Sequence, residues 1–84
     1  MSVVLLSQMS VGQKGQVKEL VGIGEICHRL QEMGLTKGAQ VEVVRFAPLG
    51  DPIDIKIRGY HLSLRRQEAD VIRVFLPPTL EVQG

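Results

Sequence analysis

The stretch Ile53-Asp54-Ile55-Lys56-Ile57-Arg58-Gly59-Tyr60-His61-Leu62-Ser63-Leu64 alternates apolar and polar residues on both sides of one glycine. Successive side chains of a strand point to opposite faces, so Ile53, Ile55 and Ile57 share a buried face and Asp54, Lys56 and Arg58 a wet one. Gly59 marks a tight turn, after which Tyr60, Leu62 and Leu64 alternate with His61, Ser63 and Arg65. Working backwards, Ala47-Pro48-Leu49-Gly50-Asp51-Pro52 reads as a loop. Before it, Ala39 to Phe46 reads as a strand. Val41 and Val43 share one face, then Val44 and Phe46 take the other phase, which predicts a bulge or strong bend. Working forwards, Arg66 to Asp70 predicts a short helical turn. Val71 to Leu76 predicts a last strand with Ile72 and Val74 inward, stopped by Pro77-Pro78.

The first third holds one strand and one helix. Gly15 to Val21 predicts the strand, and Gly22-Ile23-Gly24 breaks it. Ile23, Ile26, Cys27, Leu30 and Met33 then recur at helical spacing, which predicts a helix over about Gly24 to Met33. Its polar face carries Glu25, His28, Arg29 and Glu32, with Glu25 and Arg29 placed as an i,i+4 ion pair. Gly34 suits a left-handed C′ position, and Leu35 would pack back onto the helix. Five short strands and one helix do not make a doubly wound sheet. The fold expected is mainly β with one inserted helix, a small SH3-like antiparallel β-barrel. With 84 residues there is one domain, expected over 1–76, with an unstructured tail over 77–84.

Composition narrows the function. Ten Lys and Arg face nine Asp and Glu, a formal net charge of +1, so long-range attraction to nucleic acid or anionic lipid is not indicated. Arg58, Arg65, Arg66 and Arg73 could share a face, but single-strand binders pair such charge with stacking aromatics, and only Phe46, Tyr60 and Phe75 are present. The same shortage argues against a proline-rich peptide groove. The apolar run Val3 to Leu6 is too short for a signal peptide or a membrane span. The lone Cys27 excludes an intrachain disulfide. A cytoplasmic location without direct membrane insertion is expected.

No catalytic set is visible. Gly22-Ile23-Gly24 is half a dinucleotide fingerprint, but Cys27 stands where the third glycine belongs, and hairpins follow instead of a βαβ unit. A phosphate loop is missing. Cys27 and His28 leave two readings open. One is a transition-ion site. The other is a packed thiol beside a solvated histidine, since adjacent helix residues diverge by about 100°. His61 reads as an outward strand residue.

From Leu30 the pattern is specific. Leu30-Gln-Glu-Met33-Gly34-Leu35-x-x-Gly38-x-x-Val41 is followed by the Ala47 to Pro52 loop, then Gly59-x-x-Leu62-x-Leu64-Arg65, then Glu68-Ala69-x-x-Ile72-x-Val74. Over about Leu5 to Phe75 the chain resembles FeoA, the small cytoplasmic component of bacterial ferrous iron uptake. It also resembles the FeoA-like domain that closes some metal-dependent transcriptional repressors. The Gly22-Ile23-Gly24 helix entry is a departure. The resemblance implies an SH3-like barrel with the helix inserted after the first strand. It implies a non-enzymatic accessory role beside FeoB, a membrane permease with a cytoplasmic GTPase domain. It supplies no catalytic residue and no cofactor, and makes ferrous iron the cargo of the system rather than a ligand. The repressor resemblance implies instead a regulatory interaction domain.

The partner-binding surface is expected at the loop, with Leu49, Asp51 and Pro52, and on the exposed helix face, with Glu25, Arg29 and Glu32. The loop is longer than an ordinary hairpin connection and twice stiffened by proline. Plain turn chemistry is the competing reading of the same residues. Self-association is left open.

Overall fold

A computed structural model describes residues 2–22 and 24–77. The chain runs β1 (Ser2–Leu5), a 3-10 turn (Leu6–Gln8), β2 (Lys14–Leu20), α1 (Glu25–Glu32), β3 (Gln40–Phe46), β4 (Ile53–Ile57), β5 (Tyr60–Leu64), α2 (Arg66–Ala69) and β6 (Ile72–Leu76). Ile23 of the expected helix face lies outside the described residues, as does the expected tail from residue 78 onward. All pairings are antiparallel, in the order β1-β6-β2-β3-β4-β5.

Six strands stand where five were expected. The additional one is Ser2–Leu5, too short and too uniformly apolar to show an alternation. It pairs with β6 from Ser2↔Leu76 to Leu5↔Arg73. The chain then turns inward and plants Leu6 and Met9 in the core.

Two register shifts bend the sheet. One is the expected bulge in β3, between Val43 and Arg45; the other lies in β2, between Val17 and Glu19. As a result Leu64 of edge strand β5 and Leu6, next to edge strand β1, share one core with Ile55, Val43 and Val74. Among the described residues no ladder joins β1 to β5. Instead, α2, which follows β5, packs on the 3-10 turn that follows β1, and the Ser7 hydroxyl donates to Asp70. This is an SH3-like barrel closed by side chains rather than by a backbone ladder.

Helix α1 enters through Gly24, at φ 112°, and ends at Met33. Gly34 takes φ 106°. Its N–H donates to Gln31 O at 3.0 Å, and the Leu35 N–H reaches back to Leu30 O at 3.0 Å. That pair of bonds satisfies the last carbonyls of the helix and turns fully buried Leu35 into the core. The Tyr60 hydroxyl donates to Met33 O, and Arg58 Nη2 to Thr36 Oγ1 at 2.9 Å. The β4–β5 turn therefore clasps the helix end.

The apolar face of α1 is less buried than its spacing predicts. Leu30 is fully enclosed, Cys27 and Met33 are half-buried and Ile26 is exposed. Leu30 reaches the core and Met33, at the helix end, packs against it. The thiol of Cys27 sits 3.7 Å from Val21 O.

Candidate docking surface

The loop between β3 and β4 is built on a braced base. Arg45 Nε and Nη2 both donate to Asp54 Oδ2, at 3.2 and 3.1 Å, and Ser63 Oγ donates to Asp54 Oδ1 at 2.6 Å. The Ser63 hydroxyl first, then Arg45, holds the Asp54 carboxyl below the usual range. Above this base the Ala47 N–H donates to Pro52 O at 3.0 Å, and the Gly50 N–H to Ala47 O at 2.7 Å. The second bond closes a β-turn with Pro48 and Leu49 in its centre and Gly50, at φ 86°, after it.

Leu49 therefore stands at the tip with 93% of its surface in water. A leucine there contributes nothing to the core. Asp51 Oδ1 accepts from the Arg66 N–H at 3.0 Å, which ties the loop to α2. Asp51, Pro52, Ser63 and Arg65 line a shallow concavity beside it.

The helix face arrives at the same support. Arg29 does not pair with Glu25; its Nη2 donates to Glu68 Oε2 at 2.6 Å. Glu68 is nearly enclosed, and its other oxygen accepts from the Arg65 N–H at 2.8 Å. A carboxylate held by two donors outcompetes an exposed neighbour on the same helix, so the expected i,i+4 pair does not form. Glu32 lies 3.7 Å from His28 Nδ1, and Glu25 is exposed in the first turn. Of the six expected residues, Asp51 and Arg29 thus meet α2 directly. Leu49, Pro52, Glu25 and Glu32 remain at the surface.

Glu68 is the participant that sequence reasoning passed over. Its position three residues after Arg65 is the spacing at which a glutamate reaches back to the start of a helix. The arginines considered as one basic face are engaged separately: Arg58 at Thr36, Arg73 at Glu19. Among the described residues no group of three or more His, Cys, Asp or Glu is placed to hold a metal ion. No described helix is long and apolar enough to cross a membrane.

Comparison with known proteins agrees with this architecture. A fusion of Fe(2+) transport protein A with the Fe(2+) transporter FeoB from Porphyromonas gingivalis is 38% identical over 71 residues. These cover 84% of this chain but only 8% of that protein's length. The FeoA protein of Chlorobium tepidum is 37% identical and superposes with a TM-score of 0.83, over 93% of this chain and 74% of that one. IdeR of T. acidophilum shares the fold at a TM-score of 0.81, with 17% identity over 92% of this chain and 35% of its own. The family model of the FeoA domain matches residues 4–75, and the chain belongs to that family, which is associated with ferrous iron transport.

Proposed function

We propose that the chain is a non-enzymatic accessory protein of ferrous iron uptake that docks, from the cytoplasm, on the cytoplasmic GTPase part of a FeoB-type permease. The observation that carries this reading is Leu49, an almost fully exposed apolar side chain on a turn closed by its own hydrogen bonds. A loop already ordered before binding loses little entropy when a partner covers it. An apolar tip with charged Asp51 beside it and Glu25, Arg29 and Glu32 on the neighbouring helix offers an anchor with a polar rim. The choice of FeoB is supported by the Porphyromonas gingivalis relative, in which both proteins are one chain.

The test is Leu49→Asp. The circular dichroism spectrum and melting temperature should stay unchanged, while capture of the FeoB cytoplasmic domain weakens at least about tenfold, or 1.4 kcal/mol. Capture and ferrous uptake that both survive in a folded variant would refute docking through the loop.

A further inference from the structure

We propose that the outer face of the sheet carries a second docking groove, separate from the loop. Its occupant is an extended peptide segment with an apolar side chain at one end and carboxylates at the other. Two adjoining depressions form the groove, and Lys14 and Gln40 line both. At one end lie Phe75, Leu76 and Pro77; at the other, Lys56 and Arg58.

The strand register fixes this order. Phe75 pairs with Gln16 and Gln16 with Gln40. Val41 pairs with Ile57, the last residue of β4, and Arg58 follows it in the turn at φ 52° and lines the same depression as Gln40. One row further along, Lys14 faces Glu42, and Glu42 faces Lys56. The inward side chains of these strands fill the core, so the outward row is left for a ligand.

Charge complementarity selects the occupant. Lys14 and Lys56 flank Glu42 in register and Arg58 lines the same depression, so three cations share it with one carboxylate, and among the described residues neither lysine forms an ion pair. Arg58 is held in place by Thr36 and Gly34, so its charge is positioned before any ligand arrives. Between the charged and apolar ends, exposed Gln40 and Gln16 present amides suited to a peptide backbone. Gln16 already donates to Gly38 O at 3.2 Å, which holds its amide in place.

A nucleic acid fits less well. The one aromatic ring, Phe75, is half-buried and has Lys18 Nζ 5.8 Å from its centroid, so it is no open stacking platform. Three strand spacings separate β6, which carries Phe75, from β4, which carries Lys56, roughly 14 Å, which an extended peptide covers in about four residues.

The test uses a fluorescein-labelled peptide, Gly-Ser-Leu-Ser-Gly-Ser-Glu-Glu-Ser-Gly, and fluorescence anisotropy with the full chain. The peptide should bind, and binding should weaken as salt is raised. Replacing its glutamates by lysine, or its leucine by serine, should weaken it further. Lys14→Gln/Lys56→Gln should weaken it at least about tenfold with an unchanged circular dichroism spectrum. Leu49→Asp should leave it untouched, which separates this groove from the loop. The proposal is overturned if the peptide does not bind, if the lysine-substituted peptide binds equally well, or if the double variant binds as tightly as the parent. It is also overturned if an oligothymidylate binds more tightly than the peptide. Concentration-dependent self-association lost in the same double variant would assign the groove to a second copy and overturn it as well.

Discussion

Replacing Gly34 by alanine tests the helix end, and the structure supplies the size of the effect. At φ 106° an L-residue is strained, at a cost of roughly 1–2 kcal/mol. The new Cβ would lie 2.8 Å from the Tyr60 hydroxyl, which donates to Met33 O. That hydroxyl must move, losing a bond worth about 1 kcal/mol. The expected total is about 2–3 kcal/mol, and more for Gly34→Val, whose β-branch is less tolerated at positive φ. Tyr60→Phe alone should cost about 1 kcal/mol. Because both changes remove the same hydrogen bond, Gly34→Ala/Tyr60→Phe should cost about 1 kcal/mol less than the sum of the singles. Urea unfolding followed by far-ultraviolet circular dichroism measures all four corners of this cycle. A Gly34→Ala cost below about 0.5 kcal/mol, or simple additivity, would refute the account of strain and contact given above.

Arg29→Ala should destabilise by about 1 kcal/mol: it strips a donor from nearly enclosed Glu68, but Arg29 itself is 62% exposed, so the penalty of a fully buried pair does not apply. A midpoint unchanged in urea would make the bridge ornamental. The Asp54 carboxyl, held low by Ser63 and Arg45, contributes stability above the ordinary carboxylate pKa that is lost as pH falls through its lowered value. The cost of Asp54→Asn should therefore be present at pH 7 and fade as pH drops below about 4; a cost that stays constant with pH would contradict these contacts.

Where one face of an element is wet and the other buried, the chain could be read directly. Ile53 to Leu64 is such a case: the alternation, the turn and the register of β4 with β5 all follow from it. Gly34 was legible because a glycine after the last periodic apolar residue is a stop signal. Ser2–Leu5 was not, since four residues hold barely two periods and their partner, β6, is some seventy positions away. Helix α1 shows a different failure: spacing reveals which face is apolar, not how deeply it sinks, and Ile26 stays in water. Arg29 was placed on the correct face and given the wrong partner, because local spacing shows Glu25 and only the tertiary fold brings Glu68. In the loop the exposed tip was anticipated at Leu49, whereas its bond to α2 through Asp51 depends on where β5 ends.

The unit that gathers these long-range contacts is α2, only four residues long. A helix that short has no stability of its own, so it exists because its surroundings hold it. The loop holds its start through Asp51, α1 holds its middle through Arg29 and Glu68, and the 3-10 turn holds its end through Ser7 and Asp70. Three segments far apart in sequence are thereby fixed relative to one another by one small support. A partner that touches Leu49 and the polar face of α1 would meet two elements whose spacing is already set, and the ordering cost would have been met on folding rather than on binding. The same arrangement makes the surface sensitive at a distance. Loosening Glu68 removes the tether between α1 and α2, while Leu30 in the core and the clasp at Tyr60 still hold the helix, so the link from helix face to loop would weaken while the barrel core stays intact.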